Sequence, residues 1–190
     1  EFKTALVGAA AATKEAGAKV GEAITGLQEG LGATAVGAFG EKILDNADKL
    51  TKLAANLRIG TEELQAFQYA VRESGGRTQD ANKILETYRQ KLDDLRSGNL
   101  AAVQSFAQLG LSAKDFIGLS LDQALQKTAE GYRENATRAG SYAALQDLVG
   151  RSGKEAMTAL EELGERGFGS LIAKAKEAHA VIESGTLKDL

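Results

Sequence analysis

Residues 57–76 read L-R-I-G-T-E-E-L-Q-A-F-Q-Y-A-V-R-E-S-G-G, and the fold class is decided in this stretch. Leu64, Phe67 and Val71 recur at intervals of three and four, the spacing that stacks side chains on one helical face, where a strand would need strict alternation. Gly60 and Thr61 interrupt the helical pattern before them. Thr61 is the expected N-cap, its hydroxyl accepting from the backbone N–H groups of the new first turn while Glu62 and Glu63 complement the positive helix end. Gly75-Gly76 stops this helix. Thr78 is then expected to cap the next, which runs to about Arg96 with Ile84, Leu85, Tyr88, Leu92 and Leu95 on its apolar face.

Upstream, Phe39, Ile43, Leu44, Leu50, Leu53 and Leu57 predict a helix over about 41–58. Residues 1–40 differ in carrying Gly8, Gly17, Gly21, Gly26, Gly30, Gly32, Gly37 and Gly40 among many alanines. Each interior Gly costs about 1 kcal/mol relative to Ala in a helix, yet Val20, Ile24, Leu27 and Leu31 keep one helical stripe. A stripe that narrow suits a seam between equivalent helices. This segment is therefore expected to become helical by packing against other copies, and the chain to form a homo-oligomer.

Downstream, Ser97-Gly98-Asn99 ends the Thr78 helix and a short helix through Val103 and Phe106 follows. Ser112 with Asp115 and Ser120 with Gln123 each read as a capping box, so two corners come in quick succession. The pattern from Leu121 to Val149 is helical with a break near Asn135, Gly150 to Gly153 forms a turn, and two last helices cover about 154–165 and 168–182. The expected fold is thus all-α: a Gly/Ala-rich N-terminal helix (1–40), a compact multi-helix domain with short Gly/Ser-capped corners (41–183), and a tail or linker (184–190). Gly60, Thr61, Ser112, Ser120, Gly150 and Gly153 are read as structural corners.

Composition supports helices throughout. In 190 residues, 43% of them hydrophobic, there is no proline to break one. Cysteine is also absent, which removes disulfides, thiol nucleophiles and thiolate metal sites. The net charge of −3 is too small to draw the chain to nucleic acid or an anionic membrane. Between Arg58 and Asn99, seven basic residues meet seven acidic ones, so no basic stripe emerges. No apolar run reaches the roughly 18 residues a membrane span needs, and no signal peptide is visible. The chain opens on Glu1 rather than Met, so a piece of a longer protein is expected.

No catalytic residue, cofactor site or metal site is expected. His179 is the sole histidine and stands among Ala, Lys and Glu with no partner for a nucleophilic or metal constellation, so a surface or helix-end role is assigned to it. The pairs Glu62-Glu63, Asp93-Asp94 and Glu161-Glu162 are sequence neighbours whose side chains diverge by about 100° on a helix. Gly150 to Lys154 has a phosphate loop's glycine and lysine, but Leu148 stands at its first Gly and Glu155 at its Ser/Thr. Gly30 to Gly40 lacks the strand that a dinucleotide loop follows. A helix-turn-helix over Ala54 to Val71 would present Glu62, Glu63, Gln65 and Gln68 to phosphates before its first basic residue, Arg72, which disfavours DNA binding.

The stretch Leu57 to Gly75 resembles a motif of tail tape measure proteins from long-tailed bacteriophages, in which a Leu-Gly-Ile/Val-Ser corner precedes a helix with Leu-Gln and Tyr-Ala and a closing Ser-Gly. Here Arg58 takes the usual Gly and Gly60 the usual Ser. Leu109 to Ser120, L-G-L-S-A-K-D-F-I-G-L-S, and Leu148 to Gly153, L-V-G-R-S-G, resemble two further blocks in the same order, and together the three cover about 45–182. The resemblance implies a virion structural protein that helps set tail length, scaffolds assembly of the tail tube and is carried in its lumen for genome delivery. It implies tail tube and tail assembly proteins as partners, a host-cytoplasmic stage during assembly, and a trimer as the first guess for the oligomer. As one unbroken helix the chain would span about 285 Å; its corners instead mark 41–182 as a folded module. The alternative is a secreted or membrane-active helical effector, motivated by Gly17, Gly21, Gly26 and Gly30, which allow close helix approach. Lys14, Glu15, Lys19, Glu22 and Glu29 disfavour insertion.

Overall fold

The computed structural model describes residues 46–150 and 156–182. The stripe of Val20, Ile24, Leu27 and Leu31, the turn residue Gly153 and the tail 184–190 lie outside them. Every regular element among the described residues is helical, with no strand. From Leu50 onward they belong to one compact unit. The order is α1 (46–57), α2 (Thr61–Glu73), α3 (Thr78–Arg96), α4 (Leu100–Gln108), a 3-10 turn (Ala113–Phe116), α5 (Leu121–Glu134), α6 (Ser141–Val149) and α7 (Met157–Glu177).

Five of these helices end alike. The C′ residue turns left-handed, its N–H reaches back three residues, and the next N–H reaches back five, the paired bonds of a Schellman motif. Gly75, Gly98 and Gly110 fill that position after α2, α3 and α4. Arg58 after α1 and His179 after α7 fill it as well, with φ of 56° and 53°, in a region where a side chain is disfavoured and glycine is the usual occupant. The C-terminal helix therefore stops at Glu177, short of the expected Ile182.

Two of the expected caps are one residue out. The N-cap of α2 is Gly60 and that of α3 is Arg77, so Thr61 and Thr78 are first helical residues rather than caps. In both cases the acid at the third helical position governs the corner. Glu63 folds back over the Gly60 Cα so closely that a Cβ there would collide with its carboxylate. Asp80 accepts from the Arg77 backbone N–H at 2.9 Å and from its guanidinium Nε at 3.1 Å. A guanidinium cannot accept in return, so at Arg77 only this half of a capping box operates.

α3 packs on α2, α4 and α6; α7 packs on α2 and α5; α4 lies along α6. Phe67, Ile84, Leu85, Tyr88, Phe106, Phe116, Leu125, Leu145 and Leu160 are wholly buried between them, as are Leu64 and Leu148. Leu111 is half-buried at a corner against Gly131. Phe116 meets Phe106 edge-on at 5.1 Å, and Phe106 lies 6.3 Å from Tyr88. The Tyr88 hydroxyl would be costly to bury alone; it sits 2.7 Å from Thr128 Oγ1, which also bonds the Ala124 carbonyl. Burial pushes the Tyr88 phenol up, against the smaller opposing effect of Thr128.

α7 is two helices in one. Gly167 takes φ 72° and ψ 171°, conformations no helix contains, at the break expected between 165 and 168. Lys174 Nζ lies 2.7 Å from Glu162 Oε1 although the two are twelve residues apart. On an unbroken helix that separation would be about 18 Å along the axis, beyond the reach of both side chains, so the second half folds back on the first. Gln126 of α5 holds the fold by accepting from the Phe168 N–H at 3.1 Å. The first half presses Gly164 onto the α5 backbone at Ala129; the second lays Phe168 against Phe67 of α2, ring centres 6.4 Å apart.

Candidate functional site

The positive charges that balance in the sequence do not balance in space. Arg58 at the α1–α2 corner joins Arg89 and Arg96, two turns apart on α3, in lining a single pocket with Leu57, Leu92, Asp93 and the α5 start at Leu119 to Leu121. Asp93 is the only carboxylate of that lining, against three guanidinium groups. Both its ion pairs are long, 3.7 Å to Arg89 Nη1 and 3.7 Å to Arg96 Nη1, where an engaged charge-assisted bond is about 2.7–2.9 Å. Arg96 Nη2 donates to the Leu119 and Phe116 carbonyls at 3.3 and 3.5 Å, which fixes its direction. The Arg58 guanidinium makes no hydrogen bond or ion pair among the described residues. Sequence reading missed this site because Arg58 comes from a separate corner, and even-handed charge counting along the chain hides a local excess. The i, i+7 spacing of Arg89 and Arg96 is the one signal that was there to find.

A second surface is apolar. α4 has no charged residue and α6 has one, Asp147. Leu100 is 70% exposed on α4, and Val103 on α4 and Tyr142 on α6 are also exposed. Asp147 is neutralised within the domain: Lys91 Nζ donates to it at 2.8 and 2.9 Å and Ser105 Oγ at 2.9 Å. Partial burial works to raise the Asp147 carboxyl, but these donors outweigh it and hold the group below the usual carboxylate range.

The expected corner residues other than Gly153, which lies outside the described residues, stand at element boundaries. Gly60 and Thr61 stand between α1 and α2, Ser112 opens the 3-10 turn, Ser120 opens α5, and Gly150 closes α6 with φ 78°. The Asp115 carboxylate accepts from the Ser112 N–H and hydroxyl, both at 2.8 Å, and these bonds hold it below its ordinary range. Gln123 Oε1 accepts from the Ser120 N–H at 3.1 Å. The corners are spread over the domain and do not converge. His179 is exposed at the end of α7. Among the described residues no group of His, Asp or Glu could hold a metal ion, and no helix is long and apolar enough to cross a membrane. α2, the would-be recognition helix, lies between α3 and α7 with only Arg72 and Glu73 fully exposed. No family model matches the chain, and comparison with curated proteins and with solved structures gives no match.

Proposed function

We propose that this chain is an architectural segment of a tail tape measure protein of long-tailed bacteriophages, a virion protein that is not an enzyme and acts by packing against other tail proteins. The observation that carries the reading is where the three resembling blocks fall. Leu57 to Gly75 covers the α1–α2 corner and all of α2; Leu109 to Ser120 covers the two corners around the 3-10 turn; Leu148 begins the close of α6. The motifs sit where the chain reverses, as expected of residues that specify a module's shape and not a reaction. The apolar α4–α6 face, with its single internally paired charge, supports an interaction role.

In this reading the module is carried in the tail lumen, reaches it from the host cytoplasm during assembly, and self-associates through the N-terminal stripe outside the described residues, a trimer being the first arrangement to test. A membrane-active effector has less support, because the small-residue motif behind it is interspersed with charges. A DNA-reading helix has less still, since α2 has no free face to enter a groove. Mass spectrometry of purified virions from a phage encoding this chain tests the proposal: its peptides should co-purify with tail tube proteins, and in-frame deletion of 41–182 should stop or shorten tails in electron micrographs. Normal tails on the deletion, or virions free of the peptides, would reject it.

A further inference from the structure

We propose that the pocket formed by Arg58, Arg89 and Arg96 binds a small doubly charged oxyanion of the phosphate class. Three guanidinium groups against the one carboxylate of Asp93 leave two positive charges uncompensated in a single concavity. Guanidinium forks match tetrahedral oxyanions through paired N–H donors, and few of the fifteen N–H groups available here are used internally. Arg96 is already aimed by two main-chain carbonyls, so its ordering cost is met before a ligand arrives. Arg58 supplies an arginine where the helix ending calls for glycine, and its guanidinium has no protein partner among the described residues.

The size of the ligand follows from the surroundings. The adjoining groove adds Glu86 and Asp94 against Lys83, so the positive field ends with the pocket. A nucleic-acid backbone needs a continuing basic track; one compact anion does not. The inference stands apart from the tape-measure reading and neither needs the other.

The geometry of Arg58 offers a clean test. Arg58→Gly removes the guanidinium and places glycine at a left-handed position that favours it, so the variant should fold and melt at least as well as the parent. The full chain is titrated with inorganic phosphate at pH 7.5 and constant ionic strength, followed by amide NMR shifts, with chloride as the matched control. Saturable shifts confined to the α1–α2 corner, the second half of α3 and the start of α5 are expected. Arg58→Gly should weaken binding about tenfold or more, the effect of losing one charged hydrogen-bonding partner. Arg89→Gln, which leaves the corner untouched, should act likewise, while Arg133→Ala, on α5 outside the pocket lining, should not. A parallel titration with glycerol phosphate separates free phosphate from a phosphate ester as the better ligand, and saturation by either supports the site. Shifts indistinguishable from chloride, or binding within twofold of the parent in both pocket variants, would overturn the proposal.

Discussion

α2 with α7 and α4 with α6 are both helix pairs from one chain, and they treat apolar residues in opposite ways. In the first pair Leu64, Phe67, Phe168 and Leu171 are all covered, and charge is confined to rims such as the 2.8 Å pair of Glu62 and Lys176. In the second pair, two helices of nine residues each carry one charge between them, yet Leu100, Val103 and Tyr142 face outward. Composition alone would reverse the ranking, because α4 is the more apolar helix. Burial is decided by what lies across from a face: α7 folds back at Gly167 to cover α2, and no described element returns over α4.

The contrast can be broken by substitution. Phe67→Ala should have the largest effect, about 3–5 kcal/mol in denaturant melts, because it empties a fully buried ring site facing Phe168. A loss under about 1 kcal/mol would mean that α2 and α7 are not packed as described. Gly164→Ala comes next. Its Cβ would lie 2.5 Å from the Ala129 carbonyl oxygen, a backbone atom that cannot step aside alone, so about 1–3 kcal/mol should be lost despite the better helix propensity of Ala. A variant as stable as the parent would show that α5 and α7 lie farther apart.

The third effect is smaller and depends on pH. Asp147 is held below its unfolded value of about 3.9, so its ties to Lys91 and Ser105 stabilise the fold above that value and are lost as pH falls through the lower folded one. Melting of the parent and of Asp147→Asn should therefore differ at pH 6 and converge as pH falls through the lowered folded value. A difference that grows on acidification would put the wrong sign on the site. Smallest of all, Leu100→Ser should change stability by no more than about 0.5 kcal/mol, since the side chain is mostly in water. A loss above about 1 kcal/mol, growing with protein concentration, would show that the α4–α6 face is covered in solution.

Helix identity was legible because its signals are local. Leu64, Phe67 and Val71 announced α2, and Gly75-Gly76 marked its end within a residue. Cap identity was less so: a threonine at the corner is a strong signal, but the acids at 63 and 80 compete for the same turn, and their folded-back carboxylates put Gly60 and Arg77 at the caps. The sharp reversal at Gly167 was visible as a break, though nothing local told how far the chain would fold back; that depends on Gln126, forty-two residues away. The arginine pocket depends on three segments meeting and was invisible to a reading that sums charge along the chain. The left-handed Arg58 was equally hidden, since φ is set by the helix ending around it.

The fold-back of α7 brings Ile182 to the side of α2, where Gln65 grips it twice: Oε1 accepts from the Ile182 N–H at 2.8 Å and Nε2 donates to its carbonyl at 3.0 Å. The side-chain amide thus pairs with the main-chain N–H and C=O of one residue and ignores the side chain that residue carries. Position 182 should tolerate wide drift in residue type, provided the main chain keeps both its donor and its acceptor. Proline alone lacks the donor, so the chain's lack of any proline is, at this position, a requirement of the grip.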